Sequence, residues 1–126
     1  MHGHEGTEWA WCAGFACFCL TQACERLGRS LPIEPSFSCD ALATSAKKHG
    51  MFLQGASAAD RTRITSGSFF LVRKTATDWI HTGIVVDAEP EVITTIEGNT
   101  NDDGHREGYE VCARTRGYAS MDFIRM

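Results

Sequence analysis

Cys12, set in Trp11-Cys12-Ala13-Gly14-Phe15, is the side chain of this sequence best suited to act as a nucleophile. A thiol attacks a carbonyl only as thiolate, and near neutral pH an adjacent imidazole or a helix N-terminus is what ionises it. His81, in His81-Thr82-Gly83-Ile84-Val85-Val86, can supply the imidazole, and Glu97, in Ile96-Glu97-Gly98-Asn99, can orient it. A carboxylate that accepts an imidazole N–H fixes the tautomer and favours the protonated ring. The chemistry open to such a set is that of a cysteine hydrolase, which cleaves an amide through a thioester.

Two kinds of element must position these groups. Ala13, Ala16, Leu20, Ala23 and Leu27 recur at helical spacing, which predicts a first helix from about Cys12 to Leu27 with Gly28 as its C-terminal cap. A helix opening at Cys12 would hold the thiol at the positive end of the dipole. It would also offer backbone N–H groups, that of Cys12 included, to a tetrahedral oxyanion. Ser38 is placed to cap a second helix running through Ala41, Leu42 and Ala46 to Lys47-Lys48, with Gly50 just beyond. From Ser68 the pattern becomes β: Phe69 to Val72, Ile80 to Val86, Val92 to Ile96, Tyr109 to Ala113, and Phe123-Ile124. Helices followed by strands predict an α+β fold with an antiparallel sheet of about five strands. Residues 1–126 form a single domain, whose glycine-bearing start, residues 1–8, is expected to be disordered.

Asp87-Ala88-Glu89-Pro90-Glu91 is a polar turn between two β-branched runs. Pairing symmetric about Glu89 sets His81 opposite Glu97, with Cβ atoms about 5 Å apart on one face, and Trp79 and Asn99 on that same face. Gly83, two residues beyond His81, would leave room for the nucleophile helix to bring Cys12 near the ring.

Composition narrows the classes. A net charge of −4 without a Lys/Arg run argues against nucleic acid and against an anionic membrane surface as partners. The apolar runs are far short of a membrane span. Met1-His2-Gly3-His4-Glu5 has neither a basic start nor an apolar signal region, so synthesis in the cytoplasm without a cleaved signal peptide is expected. Of the six cysteines, Cys12, Cys17, Cys19 and Cys24 fall in one helical run, and none is spaced C-x-x-C. Cys17, Cys19, Cys24, Cys39 and Cys112 therefore read as small buried hydrophobes rather than disulfide partners or metal ligands.

In order, and over nearly the whole chain, the three segments carrying Cys12, His81 and Glu97-Gly98-Asn99 resemble the motifs of CHAP-domain peptidoglycan hydrolases, within the NlpC/P60 superfamily. The resemblance implies a papain-like fold with an N-terminal nucleophile helix packed on the sheet. It matches Cys12 to the nucleophile, His81 to the general base, Glu97 to the orienting acid and Asn99 to the accompanying amide. The implied substrate is the peptide part of bacterial peptidoglycan, cut as an N-acetylmuramoyl-L-alanine amidase or an endopeptidase would cut it. The implied partner is the stem peptide, met by a monomer that needs no cofactor or metal and acts on the cell wall in phage lysis or after specialised export. One departure is Ser66-Gly67-Ser68, where many such domains carry Pro-Gly-Asp.

Two readings from other classes use the same residues: a catalytically silent module binding cell wall or protein, and a cysteine-rich metal or redox module. The intact Cys12, His81 and Glu97 set favours the hydrolase. Trp11 and Trp79 are candidates to line a substrate cleft, with core packing as the alternative. His49 and His105 read as surface residues, and Arg106, Arg114 and Arg116 as a solvated face or as binders of stem-peptide carboxylates. Asn99, Asn101, Asp103, Gly104 and Glu110 echo a calcium loop, but Arg106 and the absence of flanking helices favour a plain turn.

Overall fold

The computed structural model describes residues 7–36, 38–55, 58–75, 77–99 and 110–126, with the side chains of 7–11, 58, 59, 99 and 110 outside that description. Helix α1 spans Thr7–Leu27. It starts five residues ahead of the expected position, because nothing between Thr7 and Cys12 is a glycine or proline that would stop a helix propagating backwards. Thr7 and Glu8, expected to be disordered, are thus helical, while residues 1–6 lie outside the described residues. The far end is where the sequence sets it. Gly28 adopts φ 67°, the Arg29 N–H bonds the Cys24 carbonyl at 2.9 Å, and the Gly28 N–H bonds that of Glu25 at 3.3 Å, the pairing of a Schellman cap.

Helix α2 spans Cys39–Lys48, and Ser38 caps it by accepting the Ala41 N–H at 3.2 Å. Gly50, at φ 73°, closes it as Gly28 closes α1, with Met51 N–H on the Ala46 carbonyl at 2.8 Å. The loop ahead of α2 is pinned to its far end by Glu34. The Glu34 N–H donates to Ser45 Oγ at 3.0 Å, and its carboxylate accepts from the Ser45 hydroxyl and pairs with His49 Nε2 at 2.9 Å. His49 is therefore a clamp rather than a free surface group.

The strands are β1 (Phe52–Leu53), β2 (Phe69–Thr75), β3 (Asp78–Ala88), β4 (Ile93–Asn99), β5 (Glu110–Arg116) and β6 (Met121–Ile124), with a one-turn helix α3 at Ala58–Arg61. They form one antiparallel sheet in the order β1-β6-β2-β3-β4-β5. The α+β class and the antiparallel sheet agree with the sequence, and β1 is the strand it does not announce. Alternation along β2 divides the core in two. Phe69 and Leu71 pack with α1 and α2 on one face, while Phe70 and Val72 pack with Val85, Ile93 and Phe123 on the other. No helix among the described residues is long and apolar enough to cross a membrane.

The β3–β4 hairpin departs from the expected register. Its turn is centred beyond Glu89, pairing Ala88 with Ile93, and a bulge between Val85 and Asp87 then gives back one residue. Ile84 pairs with Ile96, and the same register carried on sets Gly83, not His81, across from Glu97. The offset is two residues, so His81 and Glu97 keep a common face and meet on the diagonal.

Two glycines make room, in roles other than the expected one. At Gly98 a Cβ would lie 2.6 Å from Phe15 Cβ, so α1 crosses β4 in close contact there. At Gly83 a Cβ would meet Phe70 Cε2 at 2.6 Å and Glu97 Cγ at 2.9 Å, so that vacancy admits the Glu97 side chain rather than the helix. Gly98→Ala must push α1 off the sheet. It should lower stability by about 1–3 kcal/mol in chemical denaturation, and a stability equal to wild type would show that Phe15 does not hold this contact.

Candidate active site

Cys12 lies in the second turn of α1 and is only 2 % exposed. That position corrects the expectation of a nucleophile at the helix start. Its N–H belongs to the interior of the helix, and the dipole's influence is confined to the first turn, so neither serves thiolate or oxyanion from there. The sulfur is served sideways instead. The Cys39 thiol, the His81 ring and the Thr82 backbone N–H are the groups around it that favour its ionised form.

Strand geometry explains that last donor. Val85 N–H points to β2, where it bonds the Ser68 carbonyl at 2.7 Å, so alternation turns the Thr82 N–H to the β4 side. The paired stretch of β3 and β4 begins only at Ile84↔Ile96. The strands are thus open where Cys12 approaches.

His81 occupies this open end of β3, with its ring against Phe70 at 5.8 Å between centroids and its side chain 17 % exposed. Nε2 lies 2.8 Å from Glu97 Oε1, which leaves Nδ1 as the nitrogen available to the Cys12 sulfur. Glu97 itself is fully buried. Both its oxygens are held: Arg116 donates Nε to Oε2 at 2.6 Å and Nη2 to Oε1 at 2.7 Å, and the Thr95 hydroxyl donates to Oε2 at 2.6 Å. Arg114 Nε stands 3.7 Å from Oε1. Residues 112, 114 and 116 of β5 alternate onto the face of Glu97, which pairs with Cys112.

The charge states follow from these contacts. Burial would push the Glu97 carboxyl up, but hydrogen bonds from Arg116, His81 and Thr95, with the Arg116 charge, hold it below the usual carboxylate range. Burial would likewise lower His81, yet its bonds to Cys12 and Glu97 and their charges raise it to about 8. Cys12 falls to about 5, first through the Cys39 hydrogen bond, against burial, and then through the bond and charge of His81 and the Thr82 N–H. Cys39 moves the opposite way, raised by its bond to Cys12, by burial, and by the charges of Cys12, Asp40 and Cys17. The two shifts favour a Cys12 thiolate beside a His81 imidazolium at neutral pH.

Of the residues singled out by sequence, Cys12, His81 and Glu97 come together. Asn99 has its backbone in β4, and its side chain, like that of Trp11, lies outside the described residues. Arg106 and the calcium-like loop over residues 100–109 lie outside them too. Trp79 is a core residue rather than a cleft wall. It is 7 % exposed, its ring meets Phe52 edge-on, and its indole N–H donates to buried Asp122 at 2.8 Å. Arg114 and Arg116 turn toward Glu97 instead of forming a solvated face.

Sequence reasoning missed Cys39, Thr95 and the role of Arg116. The signals were the place of Cys39 directly after the Ser38 cap and the two-residue period of both β4 and β5. All six cysteines are free thiols, and among the described residues no group of three His, Cys, Asp or Glu is placed to hold a metal. A cavity of about 470 Å³ bordered by Leu20, Leu27, Met51, Phe69, Ile84 and Met126 lies along α1 and includes none of the three site residues.

Arg116→Met leaves the Glu97 charge buried with its main counter-ion gone. It should cost about 3 kcal/mol in denaturant titration and loosen the His81 ring, seen as a changed imidazole titration by NMR. Wild-type stability and an unchanged titration would show that Arg116 does not anchor the carboxylate. No family model, curated protein or solved structure matches the chain.

Proposed function

We propose that the chain is a cysteine-dependent hydrolase of amide bonds in the peptide part of bacterial peptidoglycan, with the papain-like arrangement that the motif resemblance implies. The observation that carries the reading is the contact series Cys12, His81, Glu97, in which a buried carboxylate orients an imidazole whose other nitrogen serves a thiolate. The Cys12 sulfur attacks the amide carbonyl to form a tetrahedral intermediate. The His81 imidazolium then protonates the departing amine, leaving a thioester on Cys12. Water, deprotonated by the now neutral His81, hydrolyses that thioester and returns the pair to its starting state. Glu97 holds the ring in one tautomer throughout and does not itself gain a proton. With the Cys12 proton already on its ring, His81 enters the first step as imidazolium and serves as the base when water attacks the thioester.

One observation favours a second reading, a silent wall- or protein-binding module of the same fold: Cys12 is nearly covered in this structure. Purified peptidoglycan separates the two. Wild-type chain should release fragments with new peptide termini identifiable by mass spectrometry, and Cys12→Ala, folded by circular dichroism, should release none. Uncut peptidoglycan with the wild type, or equal cutting by Cys12→Ala, would end the hydrolase reading. The rate should also be bell-shaped in pH. It falls below about 5 as Cys12 takes up a proton, and above about 8 as His81 loses the one needed by the leaving amine. A profile still rising well beyond the upper limb would show that imidazolium is not the acid.

A further inference from the structure

We propose that Cys39 is a positioning residue of this site, its thiol donating the hydrogen bond that keeps Cys12 anionic and its sulfur directed toward His81. The proposal rests on the reading of Cys12 as nucleophile and deepens it.

Cys39 is the first residue of α2, 3 % exposed, and packs with Cys12 in the core cluster between the helices and the sheet. Two ties fix its place. Ser38 caps α2, and Asp40 Oδ1 accepts the Trp79 backbone N–H at 2.7 Å, which docks the first turn of α2 on β3 two residues before His81. Cys39 therefore stands where α1, α2 and β3 meet, in the same buried cluster as Cys12.

A thiolate packed among Ala13, Ala16, Leu71 and Trp79 has little water to solvate it and must find donors in the protein. His81 supplies the charge and Thr82 a backbone N–H, and Cys39 adds a donor from the third element. Two adjacent thiols raise the question of which one ionises, and their surroundings decide it. On the β3 side Cys12 faces the His81 imidazolium, backed by Glu97 and Arg116. On the α2 side Cys39 lies within reach of the Asp40 carboxylate, which disfavours a second negative charge. Cys39 accordingly keeps its proton and remains a donor while Cys12 gives up its own.

Thiolate ultraviolet absorbance, titrated on the full chain and on the matched chain carrying C12A, gives the ionisation of Cys12 by difference and needs no substrate. In Cys39→Ala the midpoint should rise by about one pH unit, a tenfold loss of thiolate at acidic pH. Cys39→Ser retains a donor and should stay close to wild type. Cys39→Val, a non-donor nearer in volume, should follow the alanine variant and replaces it if that variant does not fold. A midpoint unmoved in both non-donor variants overturns the proposal, as does a serine variant displaced as far as alanine, which would make Cys39 a packing residue. Intact peptidoglycan beside a shifted midpoint would end the hydrolase reading and leave the role of Cys39 standing.

Discussion

A carboxylate fully buried in a β-sheet is the constraint around which this site is organised. Glu97 reaches no solvent, so its charge must be answered by the protein or lost to a proton. Arg116 answers it with a two-pronged contact to both oxygens, and Thr95, two residues away on the same strand face, adds a hydroxyl. The space for this carboxylate comes from Gly83, whose missing Cβ would otherwise strike Glu97 Cγ. Once Glu97 is fixed, one oxygen edge remains directed at His81, and the ring, backed by Phe70, has one orientation that satisfies it.

From that anchor the signs alternate across the fold: Arg116 on β5 is positive, Glu97 on β4 negative, His81 on β3 positive, and Cys12 on α1 negative, ending at the neutral donor Cys39 on α2. Each charge has an opposite neighbour, and Glu97 and His81 have one on either side, which is how a row of ionised groups tolerates burial that none could bear alone. The row also crosses five elements, so their relative placement is set by electrostatics as well as by packing. Interruption of the β3–β4 ladder before Ile84 is part of the same arrangement, since it frees the Thr82 N–H for the sulfur.

Much of this was legible in local signals. Ser38, Gly28 and Gly50 act as the caps their residue types announce, and the strand runs fall where β-branched and aromatic residues cluster. The chemistry-bearing trio was legible because Cys, His and Glu in those contexts have few other reasons to occur together. The register was not. Sequence symmetry about Glu89 knows nothing of a turn centred further on or of the bulge near Val86, both of which depend on how the sheet twists over its core. The face survived the error because the two displacements partly cancelled to an even number. Cys39 stayed hidden for a different reason: a buried cysteine has the same hydropathy whether it fills space or donates to a thiolate, and only the docking of α2 on β3 by Asp40 and Trp79 distinguishes the two.

The position of Cys12 inside α1 carries the argument one step further. A nucleophile at the first residue of a helix draws on unpaired N–H groups and on the dipole, both properties of a single element that survive repacking of its neighbours. In the second turn those resources are gone, and the thiolate depends on β3 and α2 being docked in register. Ionisation of Cys12 is then a tertiary property. The unfolded chain holds an ordinary thiol and a chain with α2 undocked keeps only the support of β3, so full ionisation of Cys12 requires the closed fold. In a chain bearing six thiols this sets one apart from the rest, because its ionisation is generated by assembly of the site rather than carried by the peptide.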